Sequence, residues 1–200
     1  MAKNVFFSFH YQDVIDFRAN VVRQHWVTKP DQKEAGFIDK SIWKEAKKIS
    51  ILALKRLINN EIIGTSNTCV LVGTNTYQRP WVRYEIFKSI HKGNHLFAVH
   101  INGIKGKDGQ TKNLGKNPFD CNGVRFNEDG SQYAFITRTD TDSKWYYWEE
   151  IDSKKYHINN YFKKEDAKNN AGKCIPLSDF FKIYKWNKHD GYNNFKYWVK

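Results

Sequence analysis

Trp81 and Glu85 stand four residues apart, so on a helix both side chains leave the same face. An acid beside an indole has a use in cleaving a glycosidic bond to a ribose. The carboxylate can hold the ribose hydroxyls and stabilise an oxocarbenium-like transition state, while aromatic rings hold the bases. Glu85 is therefore the candidate catalytic residue, with Trp81 and the intervening Arg83 as candidate substrate contacts. A second group, Phe7-Ser8-Phe9-His10-Tyr11, lies where the first apolar run ends. Plain readings stand beside these. A glutamate early in a helix is favoured by the helix dipole alone, and Trp81 suits an ordinary core. Spacing leaves both open.

Other constellations are weaker. His10 and His100 both fall at expected strand ends and could approach each other, but two imidazoles make an incomplete metal site, and polar lining is the simpler role. Asp39 and Trp43 fit a helix cap and a buried helix start, or equally a pocket wall. Cys69 reads as inert core. Tyr184, Trp186, Tyr192 and Trp198 resemble a stacking platform for single-stranded nucleic acid, yet their spacing fits buried helical positions better. There is no GxGxxG after the first apolar run, no Gly-rich loop ending in Lys-Ser or Lys-Thr, and neither GxSxG nor HExxH.

The elements that must position these residues follow from hydrophobic period. Val5-Phe6-Phe7-Ser8-Phe9 suits a strand buried on both faces. Asp13 then caps a helix whose stripe is Val14, Phe17, Val21 and Val22. Pro30 and Gly36 bound a loop, and a second helix after Asp39 runs through Ile42, Ala46, Ile49, Ala53 and Leu57. Thr68–Gly73 is a strand, a helix opens near Pro80, and His95–Ile101 is the next strand. That order predicts an α/β chain with a flavodoxin-like, mainly parallel sheet at whose carboxyl ends a ligand would sit. The second half is less regular. Asp108-Gly109 and Asp129-Gly130 mark turns, Gln132–Arg138 and Lys144–Glu149 read as strands, and Leu177–Tyr184 and Tyr192–Val199 read as terminal helices or a helix and a turn. No linker divides the 200 residues, so one domain is expected, with residues 1–101 as its core half and 102–200 as an extension.

Composition narrows the class. Seven Trp, eleven Tyr and fourteen Phe supply a sizeable core and exclude a disordered chain. No stretch approaches the roughly 18–20 apolar residues of a membrane span, and the opening residues carry no signal-peptide pattern. Three widely spaced cysteines are expected to be reduced thiols in a cytoplasm. The net charge of +12 comes from dispersed lysines, which read as a solvated surface that also draws in an anionic dinucleotide.

Asn4–Tyr11, Asp39-Lys40-Ser41-Ile42-Trp43, and Ser66–Gly73 followed by Trp81-Val82-Arg83-Tyr84-Glu85-Ile86 together resemble the ThsB-type, TIR-like branch of bacterial TIR domains, which serves Thoeris anti-phage defence. The likeness extends through Asp190-Gly191-Tyr192-Asn193 and Phe195–Val199, and so covers most of the chain. It implies a TIR fold with an elaborated C-terminal half. It also implies NAD⁺ as substrate with no separate cofactor or metal, and a cyclic ADP-ribose isomer as product. That messenger would activate a ThsA-like effector after a phage-derived trigger, with self-assembly through the mobile loop at about Trp26–Asp39. In the TIR pattern the catalytic glutamate follows a tryptophan by four residues, as Glu85 follows Trp81, and the loop at Phe9-His10-Tyr11 lines the nucleotide site. One departure is notable: many TIR enzymes carry an arginine pair where this chain has His10-Tyr11.

Two other classes remain open. A non-catalytic TIR-like adaptor would keep its signalling when Glu85 is replaced by alanine. A basic nucleic-acid-binding domain would bind with steep salt dependence.

Overall fold

The computed structural model describes residues 3–28, 32–34, 48, 50–139, 142–148, 155–158 and 162–200. Among them, in chain order, are β1 (Lys3–Phe9), α1 (Tyr11–Ile15), α2 (Arg18–Val27), β2 (Gln32–Glu34), α3 (Ile51–Ile63), β3 (Asn67–Val72), α4 (Pro80–Lys92), β4 (His95–His100) and α5 (Pro118–Cys121). There follow β5 (Asn122–Phe126), β6 (Gln132–Thr137), β7 (Tyr146–Tyr147), β8 (Lys155–His157), α6 (Lys164–Asn169), β9 (Cys174–Pro176), β10 (Ile183–Lys185) and α7 (Gly191–Trp198).

The first sheet has the order β10-β4-β3-β1-β2, and every neighbouring pair is parallel. Parallel strands need both faces covered, which explains why all six residues of β3 are buried. One face, through Phe6, Val70, Val72, Leu96 and Ala98, shares a core with α3 and α4. The other, through Val5, Phe7, Cys69, Leu71, Phe97 and Val99, packs on α2 and α7.

A second, antiparallel sheet runs β7-β6-β5-β9, with β8 also on β6. It packs against the first core through α4. Phe87 stacks on Phe135 at 4.1 Å and meets Trp148 edge-on at 4.9 Å. Helix α4 is thus enclosed between two sheets, and buries Tyr84, Glu85 and Phe87 besides the stripe Val82, Ile86 and Ile90. Pro80 begins it and Gly93, at φ 88°, ends it in the left-handed region.

Several sequence expectations change. Asp13 caps nothing: it lies inside the single turn α1, and Phe17 at φ 66° breaks the helix before α2. Phe17 is accordingly exposed instead of lying on the apolar stripe. The start expected for the second helix after Asp39 lies outside the described residues; the part described, α3, is capped by Ser50, whose Oγ accepts from the Ala53 N–H at 3.0 Å. Its buried stripe is Leu54, Ile58 and Ile62, one residue later than expected, with Leu57 packed at the margin. Ile42, Ala46 and Ile49 lie outside the described residues.

Within the described part of Lys144–Glu149, the strand is the two-residue β7; Glu149 lies outside the described residues. Leu177–Tyr184 is not a helix: a 3₁₀ turn at Leu177–Asp179 leads into β10, which extends the parallel sheet. Residues 1–101 therefore do not complete their own core, since β10 and α7 from the second half finish it. The turns at Gly109 and Gly130 form as expected, with φ of 72° and 68°.

Candidate active site

Glu85 is the sixth residue of α4, in its second turn, and only 8 % exposed. The first-turn dipole explanation for an acid here thus falls away. Ser8, fully buried on β1, donates its hydroxyl to Glu85 Oε2 at 2.5 Å. Burial pushes the Glu85 carboxyl up to about 8, and the Ser8 hydrogen bond opposes that shift in part. The backbone carbonyl of Glu85 accepts from Ser89 Oγ at 2.7 Å, and Ser89 Oγ accepts from Thr68 at 2.8 Å. A carboxyl is held mostly protonated at neutral pH, in one orientation, beside the exit of β1.

Around the carboxyl ends of β1 and β3 the chain supplies an imidazole and two cationic side chains. His10 immediately follows β1 as the N-cap of α1. Its imidazole is held below its ordinary pKa first by burial, then by the nearby charges of Arg79 and Lys112. Arg79 is the N-cap of α4, and its Nε is buried with no hydrogen-bond partner among the described residues. Lys112 pairs with Asp16 at the end of α1. The segment that carries Lys112 is fastened by Arg18, which is 1 % exposed: its Nε donates to the Ile104 carbonyl at 3.0 Å and its Nη2 to the Gln110 carbonyl at 2.6 Å. Asp16 accepts a further contact from Arg18 at 3.0 Å.

The expected site residues divide accordingly. Ser8 and Glu85 are in contact, and Phe9, His10 and Tyr11 form the half-buried segment immediately beyond them. Trp81 is half-buried, packs on the core and meets Tyr84 edge-on at 5.8 Å, so its core role is real. Phe7 does not join the site. It is 2 % exposed and stacks on Phe195 at 6.1 Å, on the sheet face away from Glu85, because successive strand side chains alternate faces. Arg83, two residues from Glu85 on a helix, projects from a different side. Asp39 and Trp43 lie outside the described residues, as does most of the loop to Asp39.

His10 follows β1 and His100 ends β4, with β3 between the two strands. Burial, then the charge of Lys185, pushes His100 down to about 4. Among the described residues no group of three His, Cys, Asp or Glu side chains is placed to hold a metal. Trp186 and Trp198 are core, and Tyr184 stacks on Trp198 at 4.1 Å, but Tyr192 is 53 % exposed and so not a core residue. A separate cleft of about 590 Å³ is lined by Lys182, Tyr184, His189 and Trp198 among others. Among the described residues no carboxylate lines it.

A family described as the Thoeris protein ThsB, TIR-like domain, matches residues 6–105. A protein of Bacillus cereus (strain MSX-D12), named "Putative cyclic ADP-D-ribose synthase ThsB1", is 49 % identical over 199 residues and covers 100 % of both chains. The chain belongs to the ThsB TIR-like family. The family match includes Ser8, His10, Arg79 and Glu85, whereas Lys112, β10 and α7 lie beyond it. The ThsB TIR-like core is thus completed by segments that the family match does not span.

Reading the sequence singled out neither Arg79 nor Lys112, and gave Asp13 only a capping role. A clue to Arg79 was its place immediately before Pro80, a helix-start position where backbone N–H groups favour anions. Lys112 carried no signal, being one of many dispersed lysines.

Proposed function

We propose that this protein is an NAD⁺-cleaving enzyme of Thoeris anti-phage defence that makes a cyclic ADP-ribose isomer. The observation that carries the reading is the buried Glu85 carboxyl, oriented by Ser8 at 2.5 Å on the ligand-binding end of a parallel α/β sheet. The name of the Bacillus relative, a cyclic ADP-D-ribose synthase, agrees with it.

NAD⁺ brings a cationic nicotinamide ring to this carboxyl. A neighbouring positive charge favours the ionised form, so substrate binding releases the Glu85 proton to solvent. The carboxylate then accepts hydrogen bonds from the ribose hydroxyls and stabilises the cation that develops as the bond from C1′ to the nicotinamide nitrogen breaks. The electron pair leaves with nicotinamide, which becomes neutral. A nitrogen of the adenine or a hydroxyl of the other ribose in the same molecule attacks C1′, the hydroxyl losing its proton, and the ring closes. Water attacking instead gives linear ADP-ribose, so the pocket must fold the dinucleotide and exclude water.

In this reading Glu85 is catalytic, Ser8 orients it, Phe9, His10, Tyr11 and Trp81 line the nucleotide, and Arg79 and Lys112 hold the diphosphate in place of an arginine pair after β1. Asp39 and Trp43 retain their assignment as pocket residues. The whole chain acts as one domain in the cytoplasm, is set off by a phage-derived trigger, can self-assemble, and signals to a ThsA-like effector through its product.

The test is mass spectrometry of NAD⁺ incubated with extracts of phage-infected cells expressing either the protein or its Glu85→Ala variant. A product of cyclic ADP-ribose mass from the unsubstituted protein alone supports the enzyme. Equal product from both, or none from either despite intact phage protection, overturns it in favour of an adaptor.

A further inference from the structure

Asp13 is 4 % exposed and has no part in the chemistry above. Its Oδ2 accepts the hydroxyl of Thr76 at 3.3 Å, and Thr76 Oγ1 in turn accepts the N–H of Gly73 at 2.9 Å. Thr76 itself is fully buried. This chain of two hydrogen bonds ties α1, which follows β1, to the loop that joins β3 to α4. The fit is tight: a Cβ on Gly73 would lie 2.1 Å from Asp13 Oδ1. From the other side a Cβ on Gly115 would lie 2.0 Å from the Gly73 carbonyl oxygen, and Thr74 donates to the Asn113 carbonyl at 3.0 Å. Three segments thus converge on Gly73, and two of them carry Arg79 and Lys112.

We infer that Asp13 is a positioning residue: through Thr76 it fixes the Gly73–Arg79 loop, and with it the cationic rim that holds the dinucleotide over Glu85. The role of the rim rests on the reading of NAD⁺ as substrate; the fixing of the loop does not. Burial raises the Asp13 carboxyl to about 6, against the opposing hydrogen bond from Thr76 and the charge of Lys112, with Asp16 raising and Arg18 lowering it further. At neutral pH it is mainly ionised, so it faces the Thr76 hydroxyl as an acceptor.

Thr76→Val keeps the shape of the side chain and removes the linking hydroxyl, whereas Thr76→Ser keeps the hydroxyl. Both would be made in the full-length chain and compared by hydrogen–deuterium exchange of amides 73–79 and by NAD⁺ turnover. The expected result for valine is faster exchange in that loop and a KM raised roughly tenfold or more, with kcat altered less than about threefold. Serine restores both. Unchanged loop exchange in Thr76→Val overturns the inference, as does a loosened loop with unchanged KM, or a serine variant as impaired as valine. Absence of turnover by the unsubstituted protein in extracts of infected cells removes NAD⁺ from the argument and with it the rim's role. Loop exchange then decides alone whether Asp13 and Thr76 hold the segment.

Discussion

Ser8 Oγ lies 2.5 Å from Glu85 Oε2, joining the β1 strand to the second turn of α4 across 77 positions of sequence. It is the carboxyl's side-chain hydrogen bond among the described residues, and it works against a larger effect of burial. The free protein therefore keeps Glu85 largely protonated at pH 7, and under the proposed mechanism that proton must leave before the carboxylate can act.

The pH dependence follows. With a carboxyl near 8 in the free protein, kcat/KM for NAD⁺ should rise with pH and level off above about 8. Ser8→Ala removes the interaction that favours the ionised form. The rising limb should move to higher pH, and kcat/KM at pH 7 should fall roughly tenfold. Steady-state rates between pH 6 and 9 decide it; an unshifted limb would show that Ser8 does not govern Glu85.

Stability should respond in the opposite sense. The folded-state value of about 8 is above the ordinary 4.5, so folded protein holds a proton that unfolded chain has lost between those values. The favourable contribution is complete below pH 4.5 and is lost as pH rises through 8. Glu85→Gln carries no such linkage, so it should be more stable than the parent by roughly 3 kcal/mol at pH 7, with the gap widening toward pH 8. Melting curves of both proteins at pH 5, 7 and 8.5 test this, and a pH-independent difference would refute it.

Arg79 and Lys112 should contribute to binding rather than to the chemical step. Arg79→Ala and Lys112→Ala are each expected to raise KM for NAD⁺ about tenfold with kcat little changed, since under the proposal each would remove a charge-assisted contact to phosphate. Because Lys112 is 37 % exposed, its effect should weaken with added salt more than that of Arg79, whose Nε is buried. Kinetics at 50 and 300 mM salt would separate the two, and a loss confined to kcat would count against both assignments.

Gly73→Ala should destabilise the fold by roughly 1–3 kcal/mol, because its Cβ would overlap the Asp13 carboxyl. Shortening that partner should relieve part of the clash. In a double-mutant cycle with Asp13→Ala the two effects should therefore fall short of additivity by about 1 kcal/mol. Strict additivity in denaturant melts would mean that the two residues do not meet.

The parallel half of this fold was open to sequence reading wherever one pattern fixed one environment. The continuous apolar runs of β1, β3 and β4 suit strands covered on both faces, and Pro80 marks the start of α4 by backbone geometry alone. The spacing of Trp81 and Glu85 likewise placed an acid and an indole on one helix. Tertiary structure decided the rest. Nothing local distinguishes Phe7 in the core from Ser8 on the carboxyl, since the strand's alternation fixes that faces differ but not which face meets α4. The short β10 has three residues and no strong period, and becomes a strand only because β4 offers it an open edge. Arg79, Lys112 and Asp13 are ordinary charges in the chain. They gain their meaning from loops brought together around Gly73, where burial and neighbouring charge, not residue type, set what each group does.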